Sequence, residues 1–201
     1  MSMKHVAAVA VAVAAALATP TAAAASSPAS TSESASAPTQ KLKLRKGLTL
    51  HIPTQWKVHR FGADVVQVVT GKCGKPKGWG TLNCDAFYVL GPSLIKRGDE
   101  GFRPYTGKDP FYTSSGVLQC PFNPKWGESI GPKVTRGVRQ IGKGHKAAYN
   151  VWQSRCTSLS NGRTKARFTQ REWYLPKSKI LVVDQWNTPG LASALKHADW
   201  K

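Results

Sequence analysis

The chain has 201 residues, with 29 lysines and arginines against ten aspartates and glutamates, for a formal net charge of +19. That size and an apolar share of 41 % suit one ordinary domain able to bury a core without metal or cofactor. The acids are spread almost singly, which leaves little material for the paired carboxylates of glycoside hydrolysis.

Residues 1–25 read as a secretory signal peptide. Lys4 precedes an apolar Val/Ala/Leu run over 6–18, Thr19-Pro20-Thr21 breaks it, and small residues 22–25 follow, placing cleavage after Ala24 or Ala25. The run is short of the roughly 20 residues that span a bilayer. No cysteine lies nearby to take a lipid, the first being Cys73. Residues 26–40 are Ser, Ala, Thr and Pro with one charge, Glu33. Such a stretch buries too little apolar surface to offset its ordering entropy, so a disordered spacer is expected. The secreted basic domain is then residues 41–201. Because Lys4 and Glu33 cancel, this domain keeps the whole +19.

Export and an even cysteine count predict two disulfides among Cys73, Cys84, Cys120 and Cys156. Three pairings are possible. Cys73–Cys84 with Cys120–Cys156 is preferred, because the first two flank a Gly/Lys/Pro-rich loop whose ends should lie close. No Cys-x-x-Cys or Cys/His cluster has zinc spacing, so no metal is expected.

In chain order, Leu48-Thr49-Leu50-His51-Ile52 alternates as a half-buried strand does, and Pro53 ends it. Trp56 follows a turn and should reach the core. Residues 64–70 (DVVQVVT) and 85–90 (DAFYVL) are strands around the loop 71–81, which holds Lys75, Lys77 and Trp79. Residues 91–130 show no sustained period. A helical turn over 93–97 and otherwise ordered loop are expected there. From Val134 the pattern is regular: a strand over 134–141, a Gly142-Lys143-Gly144 turn, a strand over 146–156, and an Asn161-Gly162 hairpin. Strands over 166–175 and 179–186 complete a four-stranded antiparallel meander. Thr188-Pro189 reads as N-cap and first helical residue, with Leu191, Leu195 and Ala198 on one helical face. The fold class is α+β: a mainly antiparallel sheet of about seven strands, a C-terminal helix and two disulfides.

The opening Ile52-Pro53-Thr54-Gln55-Trp56, the hairpin Ile141-Gly-Lys-Gly-His-Lys-Ala-Ala-Tyr149, Gln170-Arg-Glu-Trp-Tyr-Leu-Pro176, Ile180-Leu-Val-Val-Asp184 and a final helix before Trp200 together resemble the PsbP-like α/β sandwich fold, including LpqN-type exported actinobacterial proteins. The resemblance implies a non-enzymatic, partner-binding role and transfers no catalytic residue. The four cysteines and the long 91–130 segment depart from it.

No catalytic motif is present: no Gly-x-Ser-x-Gly, no free thiol in prospect, and no phosphate-cradling glycine loop. The leading expectation is a secreted or cell-wall-associated binding protein, monomeric and without cofactor. Its positive field would draw an anionic partner, such as wall teichoic acid, acidic polysaccharide, anionic lipid or nucleic acid. The candidate binding residues are Lys75, Lys77, Trp79, Lys143, Lys146, Arg155, Arg163, Lys165, Arg167 and Arg171, with Trp79 the preferred exposed aromatic and Trp152, Trp173 and Trp186 core. A ribonuclease-like hydrolase of polyanions is the alternative, with His145 and Glu172 as acid/base candidates and Arg171 holding phosphate. Alternation along the strand places Glu172 and Arg171 on opposite faces, which weakens that triad. A protein-inhibitor module presenting the 71–81 loop is a third possibility.

Overall fold

Three apolar strands form the centre of an antiparallel sheet: β4 (Val65–Cys73), β5 (Cys84–Leu90) and β10 (Ile180–Asp184). They are covered on both faces, which is why they read as continuous hydrophobic runs. β3 (Lys57–Phe61) borders β4, while β9 (Thr164–Leu175), β8 (Lys146–Ser158), β7 (Asn123–Gln140) and β6 (Gln119–Cys120) continue the sheet beyond β10. The strand order is therefore β3-β4-β5-β10-β9-β8-β7-β6. A separate hairpin pairs β1 (Thr39–Lys43) with β2 (Thr49–Pro53). The computed structural model describes residues 38–98, 103–112 and 117–201, so the stretch read as a signal peptide and all but the end of that read as a spacer lie outside the described residues.

Each sheet face carries its own core. On the helix face, Val68, Phe87, Val182 and Trp173 pack against Leu48, Leu50 and Ile52 and against Leu191 and Leu195 of α2 (Leu191–Lys196). On the loop face, Ala86, Tyr88, Leu181 and Val183 meet Ile95 of α1 (Pro92–Lys96) and Tyr105 and Phe111 of the following loop. Trp56 is buried edge-on to Phe87, as its turn suggested.

The mainly antiparallel sheet, the C-terminal helix and the meander of β7 to β10 match expectation. So do both disulfides, Cys73–Cys84 and Cys120–Cys156. The helical turn lies at Pro92–Lys96. At the β7–β8 turn, Gly142 (φ 67°) sits where a Cβ would stand 2.2 Å from the Ala198 carbonyl oxygen. Only glycine fits there, and the turn thereby docks on the end of α2.

Three expectations need correction. β7 begins at Asn123, eleven residues before Val134, because Pro124, Gly127, Gly131 and Pro132 hide it. Past the short β6 it pairs on one side only, and it is bulged between Ile130 and Thr135, the setting in which a strand accepts proline. β1 and β3 were not visible as strands, and β1 starts at Thr39, inside the stretch read as spacer. Gln40 ties it down by donating to the carbonyl oxygens of Thr54 (3.2 Å) and Trp56 (2.7 Å). Finally, α2 starts at Leu191 after a left-handed Gly190. Thr188 is not its cap: its hydroxyl and backbone N–H both donate to Asp184.

Candidate functional site

The pairing register groups the cations of β7–β9. Ser129, Arg155 and Arg167 are direct cross-strand neighbours in one row on the helix face, beyond the area that α2 and β2 cover. Arg155 and Arg167 are both exposed. Like charges directly opposite on a sheet repel and cost stability. Neither guanidinium has an ion-pair or hydrogen-bond partner among the described residues. The row borders a shallow depression of about 200 Å³ whose wall is completed by Gly131, Pro132, Gln153 and Ser154. Lys165 falls at the bulge where β8 and β9 shift register, two residues from Arg167. Arg163 is exposed at the hairpin, its N–H held by the Asn161 side chain (3.1 Å).

The same register removes negative charge from this face. The only carboxyls within β7, β8 and β9 are Glu128 and Glu172. Glu128 pairs with Cys156, and Glu172 pairs with Asn150 and Val183, all on the loop face. The exposed half of the helix face thus carries two unneutralised arginines framed by Ser129, Gln153 and Thr169, an anion-binding chemistry of fork donors and hydroxyls.

The other candidates disperse. Arg171 is not available: its guanidinium donates to buried Asp184, through Nε at 2.9 Å and through Nη2, and to the Thr188 carbonyl oxygen. It holds the 185–190 loop. Lys143 and Lys146 lie at the opposite end of β8, nine residues or roughly 30 Å from Arg155. Lys75 and Lys77 sit in the Cys73–Cys84 loop between β4 and β5, at the Arg155 end of the sheet but with β10 between that hairpin and β9. Trp79 is not an exposed platform. It is half-buried, edge-on to Tyr88 (4.6 Å) and Phe111 (5.2 Å) in the loop-face core. Trp152 and Trp173 are core, as expected, whereas Trp186 is half-buried against Phe122.

The hydrolase constellation is not assembled. Glu172 is fully buried and accepts from Tyr105 Oη and Trp152 Nε1 (both 2.6 Å), the Phe111 N–H (2.7 Å) and Gln170 Nε2 (2.8 Å). Burial raises its carboxyl, and these donors pull against that rise. All four acceptor positions are filled, so Glu172 clamps the 105–111 segment to the sheet. It makes no cross-strand ion pair. His145 is exposed in the β7–β8 turn, stacked on Trp200 at 4.0 Å. It is five residues along β8 from the Asn150 that opposes Glu172, roughly 17 Å away.

Two residues that the sequence did not single out complete the picture. Ser129 and Glu128 fell in the stretch read as loop. Once β7 is extended back to Asn123, simple alternation puts Ser129 with the arginines and Glu128 behind them. No family model, curated protein or solved structure matches this chain.

Proposed function

We propose that the protein is an exported, non-enzymatic binding protein that associates with an anionic polymer of the cell envelope or extracellular medium. It does so through the exposed helix-face surface of β7–β9. The observation that carries this reading is the Arg155–Arg167 cross-strand pair, two unneutralised arginines on a face whose strands contribute no carboxyl. Repulsion between them is a cost that an anion would relieve, and guanidinium forks suit the phosphate, sulfate or carboxylate groups of such polymers. Two disulfides and the lack of a membrane-spanning helix among the described residues are compatible with an extracellular setting. The resemblance of the element order to PsbP-like proteins also favours partner binding.

Retention of the pure protein on purified cell wall, heparin and DNA at rising salt tests the reading. Binding at low ionic strength that weakens steadily with salt is expected. Failure to bind any of the three at low salt would overturn it.

A further inference from the structure

The end of the loop face holds a cavity of about 310 Å³ that the proposed polymer surface does not use. Both disulfides frame it. Cys73–Cys84 closes the loop that supplies Trp79, Thr81 and Leu82, and Cys120–Cys156 fixes the segment around β6 that supplies Leu118, Gln119 and Pro121. The two walls are joined by the Asn83 N–H donating to the Pro121 carbonyl oxygen at 2.7 Å. Three aromatic side chains, Trp79, Tyr88 and Trp186, line the space, and Glu128 with Gln185 supplies its main polar group.

Glu128 is a carboxyl without a cation. Its Oε1 accepts from Gln185 Nε2 at 2.9 Å, and the same amide donates to Gln170 Oε1 at 2.8 Å, so Gln185 is held in place. The second carboxyl oxygen has no partner among the described residues, and no lysine or arginine lines the cavity. Burial alone raises the carboxyl to about 8. In a protein with a surplus of 19 positive charges, a half-buried acid left unpaired among aromatic rings is a site built for a cation that the chain does not supply. Aromatic faces and one carboxylate recognise alkylammonium groups by cation–π attraction and charge.

We propose that this cavity binds a small organic ammonium group, with Glu128 as counter-ion and Trp79, Trp186 and Tyr88 as walls. Binding ionises Glu128, so close to one proton is released for each ligand bound well below pH 8. Among the described residues Tyr88 is the only other titratable side chain lining the cavity, and burial first of all pushes it up to about 12, so it stays neutral throughout.

The test is an NMR titration of the full exported chain with choline and with 3,3-dimethylbutan-1-ol, its uncharged carbon analogue. Choline is expected to shift the Trp79 and Trp186 indole N–H signals and to bind at least about ten-fold tighter than the alcohol. Its affinity should rise about fifty-fold from pH 6 to pH 8 as Glu128 becomes easier to ionise, and Glu128→Gln should abolish that pH dependence. Trp186→Ala, which leaves the carboxyl in place, should weaken choline while keeping the pH dependence. Equal binding of the two probes, binding of methyl glucoside in preference to choline, or no shift at about 10 mM choline, near the weak limit of specific binding, would overturn the proposal. None of these outcomes touches Arg155 or Arg167, so the polymer reading stands or falls separately.

Discussion

Two glutamates with one strand between them show how burial decides the role of a carboxyl. Glu172 has its oxygens saturated by four donors, and removing it leaves the Tyr105 hydroxyl, the Trp152 indole and a backbone N–H buried and unpaired. Glu172→Ala should therefore lower stability by about 3–5 kcal/mol, read as a lower urea midpoint, and a loss below about 1 kcal/mol would contradict this bonding. Glu128 has one donor and a carboxyl raised from 4.5 to about 8. A raised carboxyl holds its proton more tightly in the folded chain than in the unfolded one. The stability it contributes is complete below pH 4.5 and lost as the pH rises through about 8. Stability of the wild type should thus fall relative to Glu128→Gln between these values, by at most about 1.4 kcal/mol per pH unit. Parallel pH profiles for the two proteins would show that Glu128 titrates normally. Alternation in the sequence already separates Arg171 from Glu172. The partners of Glu172 were not legible, because Tyr105 and Phe111 come from a segment with no period and reach it only through tertiary packing.

At the level of elements, legibility followed position in the sheet. β5 and β10 lie inside it, and their Val, Leu and Phe runs announced them. β3 carries charges, and the first half of β7 carries charges, glycines and prolines, the residues with which edges resist pairing with other chains, and this patterning hid both stretches. The cost was functional as well as topological, since Ser129 and Glu128 sit on the hidden part of β7. The two disulfides lie at the end of the sheet that carries the cavity. Cys120–Cys156 closes 36 residues and Cys73–Cys84 closes 11. The loop-entropy relation gives about 4 and about 3 kcal/mol for them. Cys120→Ala/Cys156→Ala is expected to lose the larger amount in urea unfolding and to broaden the Trp186 indole signal, because β6 is released from β8. A smaller loss than for Cys73→Ala/Cys84→Ala would mean that β6 is held by packing instead.

Across the whole molecule the positive charge is more ordered than composition could show. Asp64, Asp184 and Asp199 are paired internally, with Arg45, Arg171 and His51, and Glu128 and Glu172 face the loop side. Few acids remain to neutralise the helix side. The sequence displayed a surplus of cations, and ten candidate contacts were drawn from three turns and two strands. In the pairing register Arg155 and Arg167 share a row, Arg171 is taken by a structural pair, and Lys143 and Lys146 lie at the far end of β8. Such selection needs the pairing of β7, β8 and β9, which a one-residue slip would invert.

A comparison of two double variants with the same charge change tests this account most directly. Heparin or cell-wall affinity would be measured over a salt series for wild type, Arg155→Ala/Arg167→Ala and Lys143→Ala/Lys146→Ala. The arginine pair should lose about 10- to 100-fold in affinity at low salt and flatten the salt slope by about two ions, while the lysine pair should change affinity by about two-fold or less. Equal losses from both variants would mean that net charge alone draws the polymer and that the β7–β9 face is not its site.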